Sequence, residues 1–120
     1  MTTPIQLIAS VAKGAKASPT VANPDGSDGS FTIPAGKTFI VTDISIQRLT
    51  VLGTTELVEV ALEQKSPTGG TINRWTFIGT TTTNVERSFT TGIAFSTPFV
   101  VTNGSQSTDV AVVRLWGYFQ

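Results

Sequence analysis

Residues 31–47, FTIPAGKTFIVTDISIQ, leave few folds open to this chain. Phe31 and Ile33 on one side and Phe39-Ile40-Val41 on the other flank Pro34-Ala35-Gly36-Lys37. Proline presets φ near about −65° for a turn, and Gly36 can take the positive φ that such a turn usually needs. The pattern is strand, tight turn, long strand. The rest of the chain repeats the theme as β-rich runs broken by Gly, Pro, Asn and Thr, and no helical period survives for as many as about ten residues. About eight short strands at this spacing predict an all-β, single-domain antiparallel β-sandwich of jelly-roll-like design.

Taken in order, Ile5, Leu7, Ala9 and Val11 share one face of a first strand, IQLIASV. Residues 13–29 (KGAKASPTVANPDGSDG) are small and nearly free of large apolar side chains. A loop of that length in a compact domain is commonly functional or mobile. The organisation expected is a strand or exchangeable arm over residues 1–12, a flexible small-residue loop over 13–29 and a sandwich body over 30–120. On the strand after Thr38, Ile40, Ile44 and Ile46 share one parity, and Phe39, Val41, Asp43, Ser45 and Gln47 the other. Residues 51–55 are a Gly-containing connection. Residues 56–64 (ELVEVALEQ) contain good helix formers, yet Val58, Val60 and Leu62 alternate with Glu59, Ala61 and Glu63, which favours a strand. Ser66-Pro67-Thr68-Gly69-Gly70 closes a hairpin into residues 71–79, where Trp75 and Phe77 share a face and read as core. Residues 80–84 are a polar bridge, Asn103-Gly104 is a turn signal, and residues 109–119 form a long last strand.

Composition narrows function more than fold. The 120 residues include no Cys and no His, which removes the usual general base, zinc ligand and activated nucleophile. Eight basic and eight acidic side chains balance, so the basic excess of a nucleic-acid binder is missing. No apolar run approaches the roughly 18 residues of a membrane-spanning helix, and no signal-peptide pattern opens the chain, so membrane insertion is not expected. Threonine makes up about one residue in six and suits the wet face of strands. A Thr/Ser/Asn surface is usual among extracellular and virion-type β-proteins, and that setting is the expectation.

The turn Ile33-Pro34-Ala35-Gly36-Lys37 and the end Trp116-Gly117-Tyr118-Phe119 resemble those of small bacterial proteins of unknown function. The likeness spans residues 31–44 and 99–119. It implies a jelly-roll-like sandwich and brings no catalytic residues with it.

Four groups are candidates for chemistry. Asn23, Asp25 and Asp28 place oxygens in a Gly-rich loop where Ca²⁺ would find part of its shell of six to eight. A plain solvated turn is the favoured alternative, because Pro-Asp-Gly turns without metal. Glu59 and Glu63 on one strand face stand about 13 Å apart at roughly 3.3 Å per residue. That exceeds the about 5–9.5 Å of glycosidase pairs, so these two and Glu56 read as solubilising charges or edge gatekeepers. Asp43 and Arg114 are either an ion pair between two central strands or independent surface charges. Finally, Arg114, Trp116 and Tyr118 share one parity of the last strand, and Val113, Leu115 and Phe119 the other. If the second set is core, the first forms an outward ladder of residue types enriched at interface hot spots and able to stack on sugars.

The expected function is a non-catalytic structural protein that self-assembles as a homo-oligomer through the aromatic last strand, with the N-terminal arm adding to a neighbour's sheet edge. The alternative is a carbohydrate-binding module using Trp116 and Tyr118 with Asn73, Asn84 and Asn103, its partner a glycan. No cofactor is expected beyond that Ca²⁺, and an enzyme is the least expected class.

Overall fold

A computed structural model describes residues 4–48, 57–66, 68–80, 85–104 and 110–120. The predicted connection at 51–55, Glu56, residues 81–84 and the residues after Gly104 up to 109 lie outside the described residues. Every regular element among the described residues is a strand: β1 (Ile5–Val11), β2 (Lys16–Ala17), β3 (Thr20–Ala22), β4 (Asp28–Gly29), β5 (Phe39–Arg48), β6 (Leu57–Lys65), β7 (Thr71–Thr80), β8 (Val85–Phe95), β9 (Phe99–Asn103) and β10 (Ala111–Phe119). They form two antiparallel sheets, β4-β3-β1-β10-β5-β8 and β2-β9-β6-β7. The all-β sandwich is as expected.

Ten strands stand where about eight were expected. The additional ones come from residues 13–29, which contribute β2 to one sheet edge and the β3–β4 hairpin to the other. With that hairpin set aside, the pairing is nested. β6 pairs with β7, β5 with β8, β2 with β9 and β1 with β10, alternating between the two sheets. The first strand is therefore an interior strand of its own sheet, paired over its whole length with β10 and at Leu7 and Ile8 with β3.

The core lies between the sheets and is supplied by alternation. Leu7, Ala9 and Val11 of β1, Val60 and Leu62 of β6, and Ala111, Val113 and Leu115 of β10 all point inward. One end is closed by aromatic rings. Phe31 lies 4.9 Å from Phe39, 5.9 Å from Phe99 and 6.0 Å from Phe119, centroid to centroid. Phe31 and Ile33 are not strand residues, contrary to the hairpin expected there; they pack from an irregular segment onto the core. The turn itself is present, with Lys37 N donating to the Pro34 carbonyl (3.0 Å) and Gly36 at φ 78°. Trp75 packs edge-on against Phe95 at 5.1 Å, as a core residue should.

Strand β5 departs from simple alternation. Phe39 and Val41 are inward at its start, and Ile44 and Ile46 are inward after it. The parity changes because Thr42 is skipped in both neighbouring ladders. Trp116 pairs with Asp43 and Gly117 with Val41; on the other side Asp43 pairs with Ser88 and Val41 with Ile93. Residues 89–92 of β8 thus lie opposite Thr42 alone. Gly92 accommodates this bulge at φ 77°, and a Cβ on it would strike the Ile40 side chain. Ile40, expected to share a face with Ile44 and Ile46, falls instead on the outer side opposite Tyr118.

Candidate binding face around Trp116

Strand β10 runs between β1 and β5, so its two parities face core and outside. Leu115 and Gly117 are buried, while Arg114, Trp116 and Tyr118 are half-buried on the outer face of the six-stranded sheet. Gly117 has to be small: a Cβ there would meet the Ile40 carbonyl oxygen and two carbons of the Phe39 ring at 2.8 and 2.9 Å. With the small residue inside, the neighbouring indole is left outside. Its row across the sheet is Gln6, Trp116, Asp43 and Ser88.

The double bulge at Thr42 fixes this row, as bulges often do where a side chain is re-aimed. The Thr42 hydroxyl lies 2.8 Å from Asp43 Oδ2 and 3.2 Å from the Trp116 carbonyl oxygen. Ser88 Oγ donates to Asp43 Oδ1 at 2.6 Å. The Ser88 hydrogen bond first, and the Thr42 one second, hold the Asp43 carboxyl below its ordinary range, so it is an ionised acceptor at neutral pH. Of the two alternatives for Asp43 and Arg114, the ion pair does not form. Register sets Arg114 opposite Ser45, and its NH1 reaches Gln47 Oε1 at 3.4 Å.

Trp116 is the wall between two hollows. One, of about 310 Å³, is lined by Asp43, Ser45, Glu86, Arg87 and Ser88 on its far side. The other, of about 550 Å³, is lined by Ile5, Gln6, Val21, Ala22, Asn23 and Pro24. Both are in the size range of small-molecule sites. Trp116 and Asn23, drawn from separate predicted groups, therefore meet at one hollow. Arg114 and Tyr118 share the face but line neither.

The Asn23–Asp28 loop is closed on itself. Asp25 Oδ1 accepts from Ser27 N (2.9 Å) and Ser27 Oγ (2.6 Å), and these bonds, the side-chain one first, lower its pKa. Asn23 Nδ2 donates to Ser27 Oγ at 3.2 Å, and Asp28, in β4, pairs with Ala22 of β3. Among the described residues, no group of three or more His, Cys, Asp or Glu side chains is placed to hold a metal ion.

Of the asparagines expected to accompany Trp116, Asn84 lies outside the described residues. Asn73 is exposed on β7, in the other sheet. Asn103 is 1% exposed and structural: its Nδ2 donates to the Val11 carbonyl (2.9 Å), and its backbone bonds Gly14 and Ala15. The polar groups beside Trp116 are instead Asp43, Ser88, Arg87 and Gln6, which only the cross-strand register reveals.

The outer face of the four-stranded sheet holds a feature that composition disguised. Glu63, expected to be a solvated charge, keeps only 6% of its side chain exposed beneath three cations. Its Oε2 lies 3.1 Å from Lys16 Nζ and 3.3 Å from Lys65 Nζ, and its Oε1 3.6 Å from Arg74 NH1. Arg74 NH2 also reaches Glu59 Oε1 at 3.5 Å, so one guanidinium spans both carboxylates of β6. The signal was the hairpin, which puts Arg74 directly opposite Glu63.

Compared with protein-family models, curated proteins and solved structures, the chain has no significant match.

Proposed function

We propose that this protein is a non-catalytic carbohydrate-binding β-sandwich of jelly-roll type, with Trp116 as its stacking platform. The nested strand pairing supports the jelly-roll reading: without β3 and β4, eight strands remain, four to a sheet, in the order that two interlocked Greek keys require. The observation that carries the binding reading is that one half-exposed indole forms the common wall of the two hollows. A pyranose ring offers an apolar C–H face to such a ring system, and its hydroxyls need acceptors and donors at the rim. Asp43 supplies an ionised acceptor, and Ser88, Arg87, Gln6 and Asn23 supply the rest.

Binding is favoured over hydrolysis. Asp43 and Glu86 are diagonal neighbours across β5 and β8, a separation of about 7–8 Å that falls within the range of inverting glycosidases. The acid of such a pair must keep its proton near neutrality, which takes a water-poor pocket. Glu86 is exposed, and Asp43 is held ionised. The test is retention on a panel of immobilised neutral and acidic polysaccharides, for the parent and for Trp116→Ala. Retention of the parent is expected on at least one, with the variant weakened by about 2 kcal/mol or roughly 30-fold and an unchanged circular dichroism spectrum. No retention of the parent, or equal retention of the variant, overturns the reading.

A second reading, subunit of a homo-oligomeric assembly, is favoured by a different observation. Strand β10, the expected contact, is interior to its sheet. Among the described residues, by contrast, no strand lies beyond β7 in its sheet, and β7 carries Ile72 and Ile78 at 52% and 55% exposure.

A further inference from the structure

The outer face of the four-stranded sheet carries a hollow of about 210 Å³, built by register. Thr102 of β9 lies opposite Lys16 of β2 on one side and Ala61 of β6 on the other, and Glu63 lies opposite Arg74. Its neighbour Val101 packs in the core, so Thr102 has the outward parity and lines the hollow. Thr102 is 6% exposed, and its hydroxyl oxygen, shut from solvent, has no hydrogen-bond partner. Among the described residues it is the one buried side-chain polar atom in that state. Such an orphan forfeits its hydration without compensation and calls for a partner.

The surrounding charges say which kind of partner. Lys16, Arg74 and Glu63 wall the hollow, and two backbone stretches, 14–15 and 103–104, rim it. Lys16 Nζ, Lys65 Nζ and Thr71 Oγ1 reach Glu63 Oε2, and Arg74 NH1 reaches Oε1, so a metal ion would have to displace a cation to meet a carboxylate. Three cations, Lys16, Lys65 and Arg74, stand against two carboxylates, Glu59 and Glu63, an excess of one positive charge. Lysine has three donors and arginine five, and the carboxylates occupy only part of them. The rim is fixed and offers no spare amide at its ends: Gly14 N donates to the Asn103 carbonyl (2.7 Å), Asn103 N to Ala15 (3.1 Å) and Gly104 N to Glu59 (2.9 Å).

We propose that this hollow is an oxyanion site in which Lys16, Arg74 and Thr102 hold a phosphate or sulfate group. The two cations neutralise the group, and the Thr102 hydroxyl donates to one of its oxygens, making the hydrogen bond that the fold leaves unmade. The Lys16 and Arg74 side chains are long and 56% and 46% exposed, so they can swing aside to admit it. The site is independent of the carbohydrate reading, whose residues lie on or beside the other sheet.

The test is a titration of the isotope-labelled chain with sodium phosphate near neutral pH, followed by NMR, with chloride holding the ionic strength constant. The amide signals of Gly14, Lys16, Thr102 and Gly104 are expected to shift saturably while the Trp116 indole signal stays in place. Thr102→Val keeps the shape without the hydroxyl. It should fold with a urea midpoint no lower than the parent's and bind phosphate at least about tenfold more weakly, as loss of a hydrogen bond to a charged group implies. Lys16→Gln should weaken phosphate as well, whereas Lys37→Gln, the same charge change in the exposed turn far along the chain, should not. Methyl phosphate distinguishes the source: tighter binding than inorganic phosphate assigns a carried group, equal or weaker binding a free ion, and either supports the site. A parent without a saturable shift overturns it, as does phosphate binding that Thr102→Val or Lys16→Gln leaves unchanged. An unresponsive parent together with a lowered midpoint in Thr102→Val overturns it too, and assigns an ordered water to the hydroxyl.

Discussion

Glu63 is the residue whose environment has the clearest consequence in solution. Burial pushes its carboxyl up, but hydrogen bonds from Lys16 and Lys65, with their charges, outweigh burial and leave it below the ordinary 4.5. A carboxyl with a depressed folded pKa contributes stability above its unfolded pKa, and that contribution is lost as pH falls through the folded value. The parent should therefore lose stability as pH drops below about 4.5. Glu63→Gln, nearly isosteric and uncharged, should be the weaker protein near neutrality and should lose less on acidification, so the two curves converge. Urea midpoints across the acid range measure this, and parallel acid limbs would sink it. The burial itself was not legible in the sequence. Val60 and Leu62 announce that Glu63 faces outward, but what covers it is Lys16, from a segment that reads as loop. A side chain's partner across 47 positions is a property of register.

At the scale of elements, legibility followed how cleanly a strand alternates. β6 and β10 alternate without fault, so the two faces of each could be separated directly, although which face of β10 holds the core, and so whether Trp116 points outward, was settled only by the sheet packing. β5 could not, because the skipped Thr42 exchanges its faces midway and only the opposing strands reveal the skip. β2, β3 and β4 were invisible for another reason. Strands of two or three residues (KA, TVA and DG) have no periodicity to detect, and their pairing is dictated by the strands beside them. β1 was legible as a strand but not as an interior one. It joins β3 to β10 and sends the buried Leu7 and Val11 into the core. Large-to-small changes at such sites cost about 2–5 kcal/mol each, against total stabilities of about 5–15 kcal/mol. Deleting residues 1–12 should therefore abolish the cooperative thermal transition. A truncated chain that melts sharply near the parent temperature would show that β10 does not need this neighbour.

For the whole molecule, nested pairing ties stability to the chain ends. The innermost pair, β6–β7, is local, whereas the outermost joins residues 5–11 to residues 111–117. The core is shared: Val60, Leu62 and Val101 from one sheet pack with Ile44, Val113 and Leu115 from the other in a single cluster. Neither sheet can bury its inner face alone, so the two should melt as one unit. Two tryptophans make this measurable, because Trp75 belongs to the four-stranded sheet and Trp116 to the six-stranded one. In Trp116→Phe, fluorescence reports the first sheet; in Trp75→Phe it reports the second. Within each variant the urea midpoint from fluorescence should coincide with that from far-ultraviolet circular dichroism. Trp75→Phe disturbs the contact with Phe95 and should lower the shared midpoint; Trp116→Phe, outside the core cluster, should move it little. An earlier fluorescence transition in Trp116→Phe would mean that β7 opens before the rest. The nested order would then be a route of assembly from the inner hairpin outward, not a single cooperative unit.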